Sequence, residues 1–185
     1  MIPIKYILTG AENRELSVDG MTHVLSMIDY EHHEIHAGSH FFVAGYGTFG
    51  AADDIDFQIT TPKSEKWAHM TFSFQSTGAV VFSLYEGAVV QAGTSVTPMN
   101  SNRNSQKTSS LTVQYDGIVD TAGTLIYQQA WGYTDTPSKS EGGIAGRNNE
   151  IVLRAGTTYR FLIESNSADN IISYNGEWYE HTNKE

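Results

Sequence analysis

The chain has 185 residues, enough for one domain with a full hydrophobic core, and its 39% apolar and 11% aromatic content excludes a disordered polypeptide. Twenty-one acidic residues against eleven basic give a net charge of −10, and no Lys/Arg cluster is present, which excludes a nucleic-acid partner held by phosphate neutralisation. The absence of cysteine removes disulfide frameworks, zinc–thiolate sites and thiol nucleophiles.

Seventeen glycines beside only 17% charged residues fit an all-β chain better than a helical one. No apolar run approaches membrane-spanning length, so no membrane partner is expected. The opening "MIPIKYILTG" is too short in its apolar part for a signal-peptide core, and synthesis in a cytoplasm is expected.

Residues 1–30 differ in character from the rest and predict an N-terminal arm or hairpin, with a β-domain over 31–185. Asp19-Gly20 signals a turn, and "MTHVLSMIDY" fits a short helix or a strand. The junction, "YEHHEIHAGSHFF", holds four of the seven histidines: His32, His33, His36 and His40, with Glu31 and Glu34 among them. A helix continuing to His40 is opposed by Ala37-Gly38-Ser39 and the Phe-Phe-Val run. Read as a strand, residues 30–36 place His32, Glu34 and His36 on one side, the set that would chelate a divalent ion. The spacing matches neither the zincin pattern, where two residues separate Glu from the second His, nor the His-x-His of cupins. The histidines are therefore expected in hydrogen bonds at a strand end or a subunit interface, with no catalytic residue and no cofactor.

From Phe41 onward the pattern alternates. "HFFVAGY" reads as a strand. "DIDFQITTP" puts Ile55, Phe57 and Ile59 on one face, and "WAHMTFSFQS" does the same for Met70, Phe72 and Phe74. In "GAVVFSLYEG", Val80, Phe82 and Leu84 share one face. "SSLTVQYDG" groups Leu111, Val113 and Tyr115. "GTLIYQQAWGY", "NEIVLRAG", "TTYRFLIES" and "NIISYNGEWYE" complete about nine strands. Such a series predicts an antiparallel β-sandwich, jelly-roll-like, with an N-terminal arm. Two long polar stretches, 93–109 and 132–149, read as loops, of the length that often meets a partner.

Other motifs are weaker. "GYGTFG" has dinucleotide-loop glycine spacing but no helix after it, and reads as a turn between strands. Asp53, Asp54 and Asp56 fit a solvated loop entering a strand as well as they fit acid–base chemistry. Trp67, Trp131 and Trp178 read as packing or, alternatively, as the lining of a carbohydrate groove. No Gly-x-Ser-x-Gly elbow occurs.

Five segments, "HHEIHAGSHFF", "TTPKSEKWAHMTF", "TPMNSNRNS", "NEIVLRAGTTYRFLIES" and "WYEHTNKE", resemble in this order a family of small virion structural proteins of tailed bacteriophages. The resemblance runs from about residue 30 to residue 185. It implies a non-enzymatic capsid decoration (cement) protein on the virion surface, assembled in the host cytoplasm. Its implied partners are the major capsid protein and two further copies in a homotrimer. The alternatives are a tail- or fibre-associated carbohydrate- or receptor-binding β-domain, using the two long loops, and a cupin-like metalloprotein centred on His32, Glu34 and His36.

Overall fold

All nine alternating segments form strands. The computed structural model describes residues 30–132, 141–143 and 150–182. Apart from Tyr30, the expected arm lies outside the described residues, as does most of the 132–149 stretch.

The strands pair as a nested hairpin. β1 (His40–Phe49) lies antiparallel to β14 (Asn170–Thr182), from His40 opposite Tyr179 to Phe49 opposite Asn170. β2 (Asp54–Thr60) pairs with β13 (Thr158–Ser165), β3 (Lys66–Ser76) with β12 (Ile151–Leu153), and β4 (Val80–Glu86) with β10 (Thr124–Trp131). Rolling this hairpin brings β14 against β3 and β13 against β4. The outcome is two antiparallel sheets, β12–β3–β14–β1 and β10–β4–β13–β2. That connectivity is a jelly roll, as the alternation predicted.

Residues 87–123 form an excursion between β4 and β10. They carry β5 (Val89–Val90), β6 (Thr94–Val96), β7 (Met99–Asn100), β8 (Thr112–Tyr115) and β9 (Val119–Thr121). β7 extends the first sheet beyond β1, while β8 and β6 extend the second beyond β2. β5 and β9 make a separate two-stranded ribbon. The excursion thus leaves one side of the roll and covers the edges that β1 and β2 would otherwise leave unpaired. β11 (Glu141–Gly143) adds to the other edge, beside Phe74–Ser76 of β3. Five of these six short strands were not expected from the sequence, which showed only β8.

The core is aromatic and joins the sheets. Phe57 stacks on Phe161 of its own sheet at 4.9 Å between ring centres, and meets Phe72 at 5.3 Å and Tyr174 at 5.7 Å from the facing sheet. Phe72 and Phe82 stack across the interface at 5.1 Å. Ile55, Ile59, Met70, Phe74, Val80, Leu84, Leu111 and Val113 are buried around them, on the faces that period-2 alternation assigned.

Two expectations are corrected. Residues 30–37 form a helix, α1 (Tyr30–Ala37), not a strand. Its inward stripe is Glu31, Glu34, Ile35 and then Gly38, at helical spacing, but it is mostly polar and so gave no hydrophobic signal. "GYGTFG" is not a turn between strands, because Gly45 and Gly47 lie within β1. A Cβ on Gly45 would overlap the Tyr174 hydroxyl, so glycine there admits a close side chain. The turn comes afterwards, where the Gly50 N–H donates to Asp53 Oδ2 at 2.6 Å.

Replacing Phe57 with Ala should cost about 3–5 kcal/mol, read as a lower denaturation midpoint in urea at unchanged slope. A second outcome concerns Tyr159, which is fully buried. Its hydroxyl accepts from the Arg154 N–H and donates to Glu86, each at 2.8 Å. Burial pushes this phenol up from 10.0 to about 12; the Arg154 N–H opposes the rise and Glu86 adds to it. A phenol kept neutral by the fold stabilises it fully below the unfolded value. That contribution, about 2–3 kcal/mol, is lost as pH rises from 10 towards 12. Stability measured across that alkaline range should fall, and the fall should be shallower in Tyr159→Phe.

Candidate functional site

The histidine-rich junction is held at one end of the first sheet by backbone capping. α1 stops at Gly38, whose φ is +70°. The Gly38 N–H donates to the Ile35 carbonyl at 3.0 Å and the Ser39 N–H to the Glu34 carbonyl at 2.9 Å, the two bonds of a Schellman stop. The next carbonyls are taken by the polar stretch 100–107. Asn102 Nδ2 donates to His36 O at 3.1 Å, Lys107 Nζ to Ala37 O at 2.8 Å, and Asn100 Nδ2 to Gly38 O at 3.0 Å. Part of the long polar stretch 93–109, read from the sequence as a loop, is a clamp on the helix C-terminus. A cation there also suits the negative end of the helix dipole.

The helix divides the expected metal set. His32 and His36, four residues apart, meet on the exposed face with Nε2 atoms 2.9 Å apart. Glu34 turns to the opposite side and is buried, 3.4 Å from His33 Nδ1. His32, Glu34 and His36 therefore do not converge; the strand reading that put them together fails because helical residues two apart point in opposed directions. His40 heads β1 and is buried. Its Nδ1 lies 2.7 Å from Ser101 Oγ and its Nε2 3.6 Å from Glu31 Oε1, so it ties clamp, strand and helix together.

A second histidine pair was not foreseen. Across the outer face of the first sheet, His40, Tyr179 and His69 stand in register on β1, β14 and β3. His69 Nδ1 bonds Glu150, which also accepts from the Tyr179 hydroxyl at 2.9 Å. His69 Nε2 lies 2.8 Å from Nε2 of His181, two residues beyond Tyr179. The Tyr179 and His69 rings stack at 4.7 Å. "WAHM" and "WYEHT" each show a lone histidine at an outward position, but their pairing depends on a register that joins segments over a hundred residues apart.

On the inner side of the same strand a carboxylate is buried. Glu180 accepts from Trp178 Nε1 at 3.1 Å, from Ser109 Oγ at 2.6 Å and from the Ser110 N–H at 3.1 Å. These donors offset the cost of burying its charge and pin the excursion to β14.

No family model, curated protein or solved structure matches the chain.

The remaining sequence candidates lie apart from the histidine-rich junction or at its margin. Asp56 receives a bidentate Arg160, with Nη2 at 2.7 Å from Oδ2, and the guanidinium lies over Tyr85 at 5.7 Å. Burial, joined by the neighbouring charge of Asp56, raises the Asp54 carboxyl. Asp53 caps the turn after β1. Trp178 is core, Trp131 packs edge-on against Phe74 at 4.7 Å, and Trp67 lies beside His181 at 6.4 Å. Among the described residues, no three His, Asp or Glu side chains are placed to hold a metal ion together.

Replacing Glu180 with Ala should cost about 3 kcal/mol or more, since it strands the buried indole N–H and loosens the serines. Hydrogen exchange should show the loss first as faster exchange at residues 109–111, with the β2–β13 amides less affected.

Proposed function

We propose that this protein is a virion structural protein of a tailed bacteriophage, a capsid decoration subunit that binds the major capsid protein on the head surface as a homotrimer. One geometric observation carries the reading. The five segments that resemble such proteins meet in a single row across the first sheet. Asn100 pairs with Phe41, Phe41 with Trp178, Trp178 with Met70, and Met70 with Ile151, one residue from each segment. Phe41, Trp178 and Met70 of that row face the core, and their neighbours His40, Tyr179 and His69 stand on the outer face, so segments scattered over the chain meet at one end of the sheet, an arrangement compatible with a shared docking or assembly surface.

Three further features support a structural role. A double-sheet jelly roll is an architecture used by viral capsid and lectin domains as well as cupins, so the fold is compatible without being decisive. The space between the sheets is filled by stacked phenylalanines, and the described histidines lie outside it. That distribution favours a rigid binding body over a cupin-like enzyme. A net charge of −10 disfavours self-association of free subunits through non-specific contacts.

The alternative of a tail- or fibre-associated glycan-binding domain loses one of its two loops, since 100–107 is committed to α1. Densitometry of purified virions separates the readings. A decoration subunit appears in a fixed, large ratio to the major capsid protein; a few copies per particle would place it on the tail and overturn the proposal. Added to particles lacking it, the purified protein should rebind to the head surface, seen by electron microscopy.

A further inference from the structure

The His69–His181 pair has a charge requirement that its hydrogen bonds fix. His69 Nδ1 faces the Glu150 carboxylate. An ionised carboxylate only accepts, so the proton of the neutral ring is on Nδ1. His181 Nδ1 lies 2.9 Å from the carbonyl oxygen of Thr182, again an acceptor only, so its proton is also on Nδ1. Each neutral ring then turns an Nε2 lone pair towards the other, at 2.8 Å. Two lone pairs at that distance repel unless a positive species lies between them.

We propose that His69 and His181 form a binding site for one divalent transition-metal ion of the zinc, nickel or copper class, with the two Nε2 atoms as ligands. Imidazole nitrogen suits these ions. Metal-ligating histidines almost always give their other N–H to a carboxylate or a backbone carbonyl, and this pair shows one of each. The carboxylate is itself positioned: Glu150 is held by the Tyr179 hydroxyl at 2.9 Å, and Tyr179 stacks on His69. His69 and Glu150 side chains are only 17% and 20% exposed, so the arrangement is supported on β3, β14 and the approach to β12. Zinc–nitrogen bonds of about 2.0–2.1 Å at a tetrahedral angle set two ligand atoms about 3.3 Å apart. Opening the pair by about half an ångström, within a small rotation of the His181 ring, reaches that spacing. Among the described residues the two imidazoles are the ligands, and water fills the rest of the coordination in a site of moderate affinity. It differs from the helical His32–His36 pair in having both second-layer acceptors, and it holds whether or not the protein decorates a capsid.

The test is calorimetric titration of Zn²⁺ alone into the full-length His32→Ala/His36→Ala variant, which removes the helical pair. One ion per chain is expected. Adding His181→Ala should abolish binding, and adding Glu150→Gln should weaken it about 10–100-fold. With Cu²⁺ in place of Zn²⁺, electron paramagnetic resonance should show coupling to two imidazole nitrogens. Circular dichroism checks that each variant is folded; if His181→Ala is not, Glu150→Gln and the copper spectrum decide. Absence of saturable binding in the His32→Ala/His36→Ala variant, or binding that is indifferent to the folded His181 and Glu150 changes, overturns the assignment.

Discussion

Strand β14 has to pair on both sides at once, and the rest of the molecule is arranged around that demand. β1 takes one edge along ten residues and β3 takes the other along eleven. Once both ladders are in register, Trp178 must point between the sheets and Tyr179 must point away from them. The side chains of β14 therefore alternate between two different tasks. Trp178 and Glu180 hold the interior and the excursion. Tyr179 and His181 bring together Glu150 and His69, which are far from them in sequence. A register slip of one residue would exchange the two sets, placing an imidazole and a phenol in the aromatic core.

Of the three buried carboxylates among the described residues, Glu34 has His33 Nδ1 at 3.4 Å and the other two have full sets of donors. Glu180 and Asp56 are both buried carboxylates, on different sheets. One is met by an indole, two hydroxyls and a backbone N–H, the other by a bidentate guanidinium. Among the described residues every buried side-chain polar atom has a partner. Satisfied networks of this type restrict the packing to one arrangement, because any shift leaves a desolvated donor or acceptor unpaired. In this protein both networks fix a segment of the excursion or an adjoining strand, so they act on topology as much as on stability.

The sequence made the roll legible because its strands alternate and their inward sets, such as Ile55-Phe57-Ile59 and Val80-Phe82-Leu84, are apolar. It hid α1 because the inward stripe of that helix is Glu31, Glu34 and Ile35, which is not a hydrophobic pattern. Gly38 was the signal for its end, but a lone glycine before a strand reads equally well as a turn. The short strands of the excursion were illegible because two or three residues carry no period. At the site, the local half was visible as a run of histidines. The His69–His181–Glu150 half was not, since it exists only through pairing between β3, β12 and β14.

The nesting of the four hairpin pairs also sets an order of events during synthesis. β1 and β3 flank the position that β14 fills, so the first sheet has a gap at its centre until nearly all of the described chain has left the ribosome. Contacts this distant in sequence make folding slow, and the nascent chain meanwhile presents two long strand edges, with Phe41, Val43, Met70 and Phe74 uncovered. Unpaired edges and uncovered apolar surface of this kind favour aggregation of incomplete chains. A prematurely terminated chain lacks the keystone strand, the Glu180 anchor, Tyr179 and His181 together.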